Sequence, residues 1–283
     1  MKASLYLVAT PIGNLEDITL RALRILRDEV SAIACEDTRQ TQKILRHFDI
    51  DKPLLSYHEH NEESRAAEIV ERLGEGKSIA LVTDAGTPLI SDPGYRVVAA
   101  AIAAGFPIVP LPGASAALAA LAASGLPTDR FRFIGFLPPK SHARSQVLEE
   151  LLNERSSVIA YESPHRILDS LADIETVLGA RPLVIAREIT KLHEEFLRGT
   201  AAELKQILAQ RDSVKGEITL VIAGAQETVM RGDPKVEVAR LQELGMERME
   251  AIKAVAKQMG LPKREVYRLF AAPDSNSAGK RRG

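Results

Sequence analysis

The 283-residue chain has no tryptophan, a single cysteine, and an aromatic content of only 4%. Lone Cys35 excludes an intrachain disulfide and any zinc site built on several thiolates, and it fits a reducing compartment. The shortage of aromatics excludes extensive base stacking, although Tyr57, Phe136 and Tyr161 can each supply one platform. Long apolar runs are missing too. LYLVA, near the N-terminus, stops at Pro11 and Gly13, short of a signal-peptide core. The Ala-rich stretch 97–126 is broken by Pro107, Pro110 and Pro112 before it reaches membrane-spanning length. The expectation is a soluble, cytoplasmic protein with no membrane partner. Neither phosphate-binding fingerprint occurs: no GxGxxG follows a strand, and there is no GxxxxGKS or GxxxxGKT. Dinucleotide and nucleoside-triphosphate chemistry are thereby disfavoured. HExxH and GxSxG are absent as well, which disfavours zinc peptidases and serine hydrolases. His58 and His60 have ligand spacing on a strand, but nothing supports them as a pair and no metal is expected.

Net charge is near zero but unevenly spread. Residues 235–283 carry 11 Lys and Arg against 6 Asp and Glu, leaving 26 against 32 for residues 1–234. An acidic body with a basic end fits a polyanionic partner met through the C-terminal part, or merely a solvated terminus. Short apolar runs alternate with helical patterns: LYLVA, SAIACE, SIALVT and FPIVPL, with helices near 20–26, 41–48, 95–104 and 114–123. That alternation predicts an α/β protein whose first domain, residues 1–113, holds a parallel sheet. A second series, FRFIGF, SVIAYE, PLVIARE, HEEFLRGT and GEITLVIAG, contains two strands with no helix between them, so the second domain, 114–232, should hold a mixed sheet. Its helices are expected near 144–154, 166–178 and 201–210. Residues 233–272 read as three short helices with helix-turn-helix spacing at Ala256, Gly260 and Val266, and Pro262 opening the last one. The polar, basic tail 273–283 reads as disordered.

In open parallel sheets, ligands sit at the carboxyl ends of the strands. The segments there fall into two kinds. TPIGN, TDAGTPLISDPG and PGAS are bare, rich in Gly, Pro, Ala and Ser, and suit a ligand read by main-chain groups. Asp92 or Ser91 is expected to cap a helix with Pro93 at its first position, whereas Asp84 has no helix start beside it to explain it. EDTR, YHEHNEE, YESPHR and REITKLHEE mix carboxylates with cations and histidine, which fits an ionic substrate and proton transfer, or surface ion pairing.

Eight segments in order, VATPIGNLEDIT, CEDTRQT, SYHEHNE, LVTDAGTPLISDPG, LPGASA, YESPHRI, REITKLHEE and GEITLVIAG, closely resemble the bacterial ribosomal RNA small-subunit methyltransferases of the tetrapyrrole-methylase superfamily. The likeness covers nearly the whole chain. It implies two α/β domains with S-adenosyl-L-methionine in the cleft between them. It further implies methylation of the ribose 2′-oxygen of cytidine 1402 in 16S ribosomal RNA, within the small ribosomal subunit, by a homodimer. Cofactor contacts are expected at Pro11, Gly13, Thr83, Asp84, Ala85, Gly86, Pro88, Pro112, Ala114, Ser115, Tyr161, Glu162, Gly216, Glu217 and Ile218. A base that takes the hydroxyl proton is sought among Glu36, Asp37, His58, Glu162, His165 and Glu194. Arg39, Arg166, Arg187 and Lys191 are assigned to phosphate and ribose, with intramolecular ion pairing as the alternative. Lys263, Arg264 and Arg268 would face nucleic acid from the terminal helices. The competing functions are a small-molecule tetrapyrrole methylase and a non-catalytic ribosome assembly factor.

Overall fold

The computed structural model describes residues 2–225, 233–259, 261 and 263–271. The chain divides into two compact units, residues 1–225 and 226–283.

The first unit carries two five-stranded sheets. The first is built from β1 (Leu5–Val8), β2 (Ala32–Cys35), β3 (Leu54–Ser56), β4 (Ile79–Val82) and β5 (Ile108–Leu111), in the order β3-β2-β4-β1-β5. Every neighbouring pair in it is parallel. Its strands alternate between two apolar layers: Leu5, Ala34 and Leu81 face one side, and Val8, Ile33 and Val82 face the other. That period of two is the geometry of a strand buried on both faces. Helices α3 (Glu62–Gly74) and α4 (Tyr95–Ala103) cover the first side, while α1 (Leu20–Arg24) and α2 (Thr38–His47) cover the second. Each fully buried Leu or Ile in these layers contributes roughly 1.5–3 kcal/mol.

Two elements here exceed the sequence reading, which found four strands and nothing helical between 48 and 79. Edge strand β3 is only three residues long, too short to show a period, and polar residues dominate the exposed face of α3. The start of α4 is a correction. Gly94, at φ +144°, is its N-cap, the first helical residue is Tyr95, and neither Ser91 nor Asp92 caps it. The Glu62 carboxylate, at the start of α3, instead accepts the Gly94 N–H at 3.0 Å. It also accepts from the Tyr57 hydroxyl at 3.3 Å. Tyr57 is 1% exposed, so it is a core residue and not a stacking platform. Burial, with the adjacent Glu62 charge adding to it, pushes its phenol up to about 12.

After β5, Pro112–Ser115 leads into α5 (Ala116–Ser124), where the Ser115 side chain caps the helix and Gly125 ends it in the left-handed region. Helix α5 packs on the second sheet, with Ala117, Ala120 and Leu121 against Ile159, Val184 and Val221. This sheet contains β6 (Phe131–Phe136), β7 (Ser157–Glu162), β8 (Pro182–Arg187), β9 (Glu195–Thr200) and β10 (Ile218–Ile222), in the order β6-β7-β10-β8-β9. Only β6 and β7 are parallel; the other pairs are antiparallel. Helices α6 (Ser141–Glu150), α7 (Ile167–Leu178) and α8 (Ala201–Ala209) cover the face opposite α5. Helix α6 begins three residues before its expected start, with Lys140 as its N-cap after Pro138 and Pro139.

The second unit contains α9 (Pro234–Glu243), α10 (Arg248–Gln258) and α11 (Lys263–Ala271), packed around Val238, Ile252, Val255, Ala256 and Val266. Ala256 and Val266 are thus buried where the helix-turn-helix spacing needs apolar residues. Gly260, Pro262, the tail 273–283 and the side chains of Lys263 and Arg264 lie outside the described residues.

Candidate functional site

The bare loops interlock. Thr10 and Gly86 exchange main-chain hydrogen bonds at 2.9 and 3.0 Å, joining the loop after β1 to the loop after β4. The Thr10 hydroxyl donates to the Thr83 carbonyl at 2.9 Å, and the Thr87 hydroxyl donates to the Ala114 carbonyl at 3.2 Å. Gly113 passes so close to the first loop that a Cβ there would meet the Ala9 Cβ at 2.6 Å. Small side chains in these loops therefore let three strand ends converge.

They converge on a cavity of about 290 Å³ shared by the two sheets. Its first-sheet side is Ile12, Ala85–Thr87 and Ile90–Asp92; the connecting segment adds Ser115 and Ala116. Its second-sheet side is Phe136, Tyr161–Pro164 and Gly216–Thr219. The rings of Phe136 and Tyr161 meet edge to face at 5.4 Å, presenting an aromatic wall.

Carboxylates gather beside this cavity. Asp92 lines it, Asp84 accepts the Asp37 N–H at 3.2 Å, and Glu36 follows β2. Burial is the main reason that the carboxyls of all three are pushed above the ordinary range, and for Glu36 the charges of Asp84, Asp92 and Glu59 add to it. The buried Thr83 hydroxyl next to Asp92 makes no hydrogen bond of proper geometry. Such a corner favours a positively charged ligand. No group of three or more His, Cys, Asp and Glu among the described residues is arranged to hold a metal.

Eight of the expected cofactor residues line the cavity: Ala85, Gly86, Ser115, Tyr161, Glu162, Gly216, Glu217 and Ile218. Pro11, Gly13, Thr83, Asp84, Pro88, Pro112 and Ala114 are not in the lining; Thr83 and Ala114 act behind it through their carbonyls. Sequence reasoning did not assign Ile12, Thr87, Ile90, Ser91, Ala116, Ser163, Pro164 or Thr219. Most adjoin assigned residues in the same loops. Thr219 arrives only because β10 pairs antiparallel with β7 and sets it opposite Tyr161.

The base candidates separate by what already holds them. Asp37 caps α2 and pairs with Arg39, whose hydrogen bonds hold its carboxyl below the usual range. Glu162 is buried, accepting from the Ser163 N–H at 2.6 Å, from Arg166 and from Ser170. Glu194 accepts the Thr190 N–H at 2.7 Å and so closes a turn. His58 Nε2 lies 3.2 Å from the Asn61 amide nitrogen, and its Nδ1 is buried without a partner. Among the described residues, the Glu36 carboxylate and the exposed His165 ring make no hydrogen bond or ion pair.

Four basic candidates are engaged within the chain: Arg39 with Asp37 at 2.9 Å, Arg166 with Glu162 at 2.9 Å, Arg187 with Glu195 at 3.0 Å, and Lys191 with Glu188 at 2.8 Å. Arg39 is the most accessible of the four, its side chain 86% exposed. Arg268 is exposed on α11. Hydrogen bonds from Arg211 and Arg187 hold the Glu195 carboxyl down at about 2. Because that value lies below the unfolded one, the stabilisation is present above about pH 4.5 and is lost as pH falls toward 2, roughly 3 kcal/mol before solvent screening reduces it. Glu195→Gln is expected to flatten acid unfolding across that window, measured by denaturation at stepped pH.

The first unit is thus a pair of α/β sheets whose Gly- and Ala-lined strand ends close on an aromatic-walled cavity. The family model for tetrapyrrole (corrin/porphyrin) methylases matches residues 4–205. A protein of Halalkalibacterium halodurans named ribosomal RNA small subunit methyltransferase I is 50% identical over 276 residues, 95% of each chain. Its namesake in Synechocystis is 47% identical over 94% of this chain and 96% of its own. Among solved structures, a uroporphyrin-III C-methyltransferase of Thermus thermophilus, in complex with S-adenosyl homocysteine, superposes with a TM-score of 0.52 at 17% identity, over 77% of this chain and 97% of that one. The chain belongs to the tetrapyrrole methylase family and, within it, to the ribosomal RNA small subunit methyltransferases I. It is a methyltransferase.

Proposed function

We propose that this protein transfers a methyl group from S-adenosyl-L-methionine to the ribose 2′-oxygen of cytidine 1402 in 16S ribosomal RNA, acting in the cytoplasm as a homodimer on the small ribosomal subunit. One observation carries the cofactor assignment: a single cavity joins main-chain segments Ala85–Gly86 and Gly216–Ile218, an aromatic wall and a carboxylate corner. The acceptor assignment rests on the names of relatives that match over nearly the whole chain.

The residues present fit the cofactor. Gly86 at φ +91° and Gly216 at φ +92° give the close backbone approach, Phe136 and Tyr161 offer a surface for a flat ring, and Asp84 and Asp92 favour a cation. When bound, the cofactor supplies an electrophilic methyl group on a sulfonium. The chain's share is to hold the acceptor oxygen in line at near-attack distance, worth up to roughly 7–11 kcal/mol. Glu36, with its free carboxylate, is the group we assign to receive the hydroxyl proton. Arg39, itself exposed, can exchange its half-buried Asp37 partner for a phosphate at little cost.

Calorimetric titration with S-adenosylmethionine tests this reading. Saturable one-to-one binding, weakened in Asp84→Ala, is the expected result; no binding by the wild type, alone or with RNA, would sink it. Arg268 and its neighbours on the terminal helices are assigned to docking the subunit. Ending the chain after Asp233 is expected to preserve cofactor binding and to weaken affinity for small subunits at least tenfold, with a shallower salt dependence. Equal affinity would return those helices to a structural role.

A further inference from the structure

Behind the cavity wall formed by Gly216–Thr219 stands a residue to which the chemistry above gives no part. Glu188, just past β8, adopts φ +53°, in the left-handed region. Its N–H donates to the Glu217 carbonyl at 2.9 Å. Its carboxylate accepts the Glu217 N–H at 3.0 Å and the Lys191 ammonium at 2.8 Å. Both main-chain groups of Glu217 are therefore held by one residue. On the other side of Gly216, the Arg187 guanidinium donates to the Lys215 carbonyl at 3.1 Å. Consecutive residues at one strand end thus tie down the peptide units that flank a glycine at φ +92°. The approach is close enough that a Cβ on Gly216 would lie 2.4 Å from Glu188 Cγ and Cδ.

The same turn braces the opposite lip. A Cβ on Gly13 would lie 2.4 Å from Lys191 Cγ, and the Asn14 N–H donates to Thr190 Oγ1 at 3.2 Å. Ile12, which lines the cavity, immediately precedes this contact. The Lys191 hydrogen bond is the main reason that the Glu188 carboxyl sits below the ordinary range, so it is ionised at neutral pH.

We infer that Glu188 is a positioning residue for cofactor binding: anchored by Lys191, it presets the Gly216–Ile218 wall, so that the ligand meets a surface that needs no rearrangement. This rests on the reading of the cavity as the S-adenosylmethionine site. A preset wall spares the ordering cost that a loose one would impose on binding.

The test titrates the full-length chain with S-adenosylmethionine and measures methyl transfer to small subunits at varied cofactor concentration. Glu188→Ala removes the acceptor, Glu188→Asp keeps the charge but loses the reach, and Glu188→Gln keeps an acceptor oxygen. In the Ala and Asp variants, Kd and KM for the cofactor are expected to rise about tenfold, with a smaller fall in kcat at saturation. Glu188→Gln should return affinity to within about threefold of wild type, with thermal midpoints unchanged throughout. Wild-type affinity in Glu188→Ala, or in Glu188→Asp if the alanine variant does not fold, overturns the assignment. A loss that Glu188→Gln does not restore overturns it too. Failure of the wild-type protein itself to bind marks a different error, in the cofactor reading, and removes the positioning role with it.

Discussion

Glu36→Gln is expected to slow methyl transfer about 10²–10⁴-fold while S-adenosylmethionine binding stays within about twofold of wild type. The substitution conserves shape and removes only the capacity to take a proton. Glu36 is singled out among the carboxylates because Asp37, Glu162 and Glu194 already satisfy structural hydrogen bonds. Although the residue is exposed overall, its carboxyl is partly shielded, and burial followed by the charges of Asp84, Asp92 and Glu59 raises its affinity for a proton above the ordinary value of 4.5. A base must be deprotonated to act. The wild-type rate should therefore fall as pH drops through a pKa above 4.5, and that limb should vanish in the variant. Rates measured on small subunits from pH 5 to 9 decide the matter: a variant within threefold of wild type is one whose position 36 is not the base.

Arg144→Ala is expected to destabilise the first unit by about 3–5 kcal/mol, the cost of breaking a buried ion pair from one side. Arg144 is 2% exposed. Its guanidinium donates to Asp173 at 2.7 Å through Nε, and to the Pro138 and Pro139 carbonyls at 3.2 and 3.3 Å through one terminal nitrogen. Ser141 adds a hydrogen bond to the same carboxylate at 3.0 Å. Removing the guanidinium leaves the Asp173 carboxylate with Ser141 as its remaining donor and takes from the Pro138 and Pro139 carbonyls the donor they share. Those prolines lie two and three residues after Phe136, so the aromatic wall of the cavity should loosen as well. Lysine at 144 can satisfy one partner but not the fork, and should recover less than half of the loss. Denaturant unfolding of the variants measures the cost, and a change below 1 kcal/mol contradicts it.

Much of this molecule was legible from local pattern. The alternation of short apolar runs with helices specified α/β architecture, since strands buried on both faces need apolar residues at every position. Glycine and proline marked the strand ends around Ala85–Gly86, Ser115 and Gly216, and these line the cavity because only small residues allow three loops to meet. The absence of phosphate-binding fingerprints and of paired cysteines likewise needed no coordinates.

Other features belong to the tertiary structure alone. Whether an arginine meets a phosphate or a carboxylate depends on what the fold brings beside it, and Arg166, Arg187 and Lys191 each find a carboxylate within the chain. The N-cap of α4 is Gly94 and not Ser91 or Asp92, and the carboxylate that accepts the Gly94 N–H, Glu62, comes from 32 residues upstream. Arg144 reads in sequence as one more charged helical residue until Asp173, on another helix, is placed against it. Local sequence dictates backbone preference and burial pattern, because those are set by neighbours along the chain. Partners for charge and hydrogen bonding are set by neighbours in space, and only the packed sheets supply them.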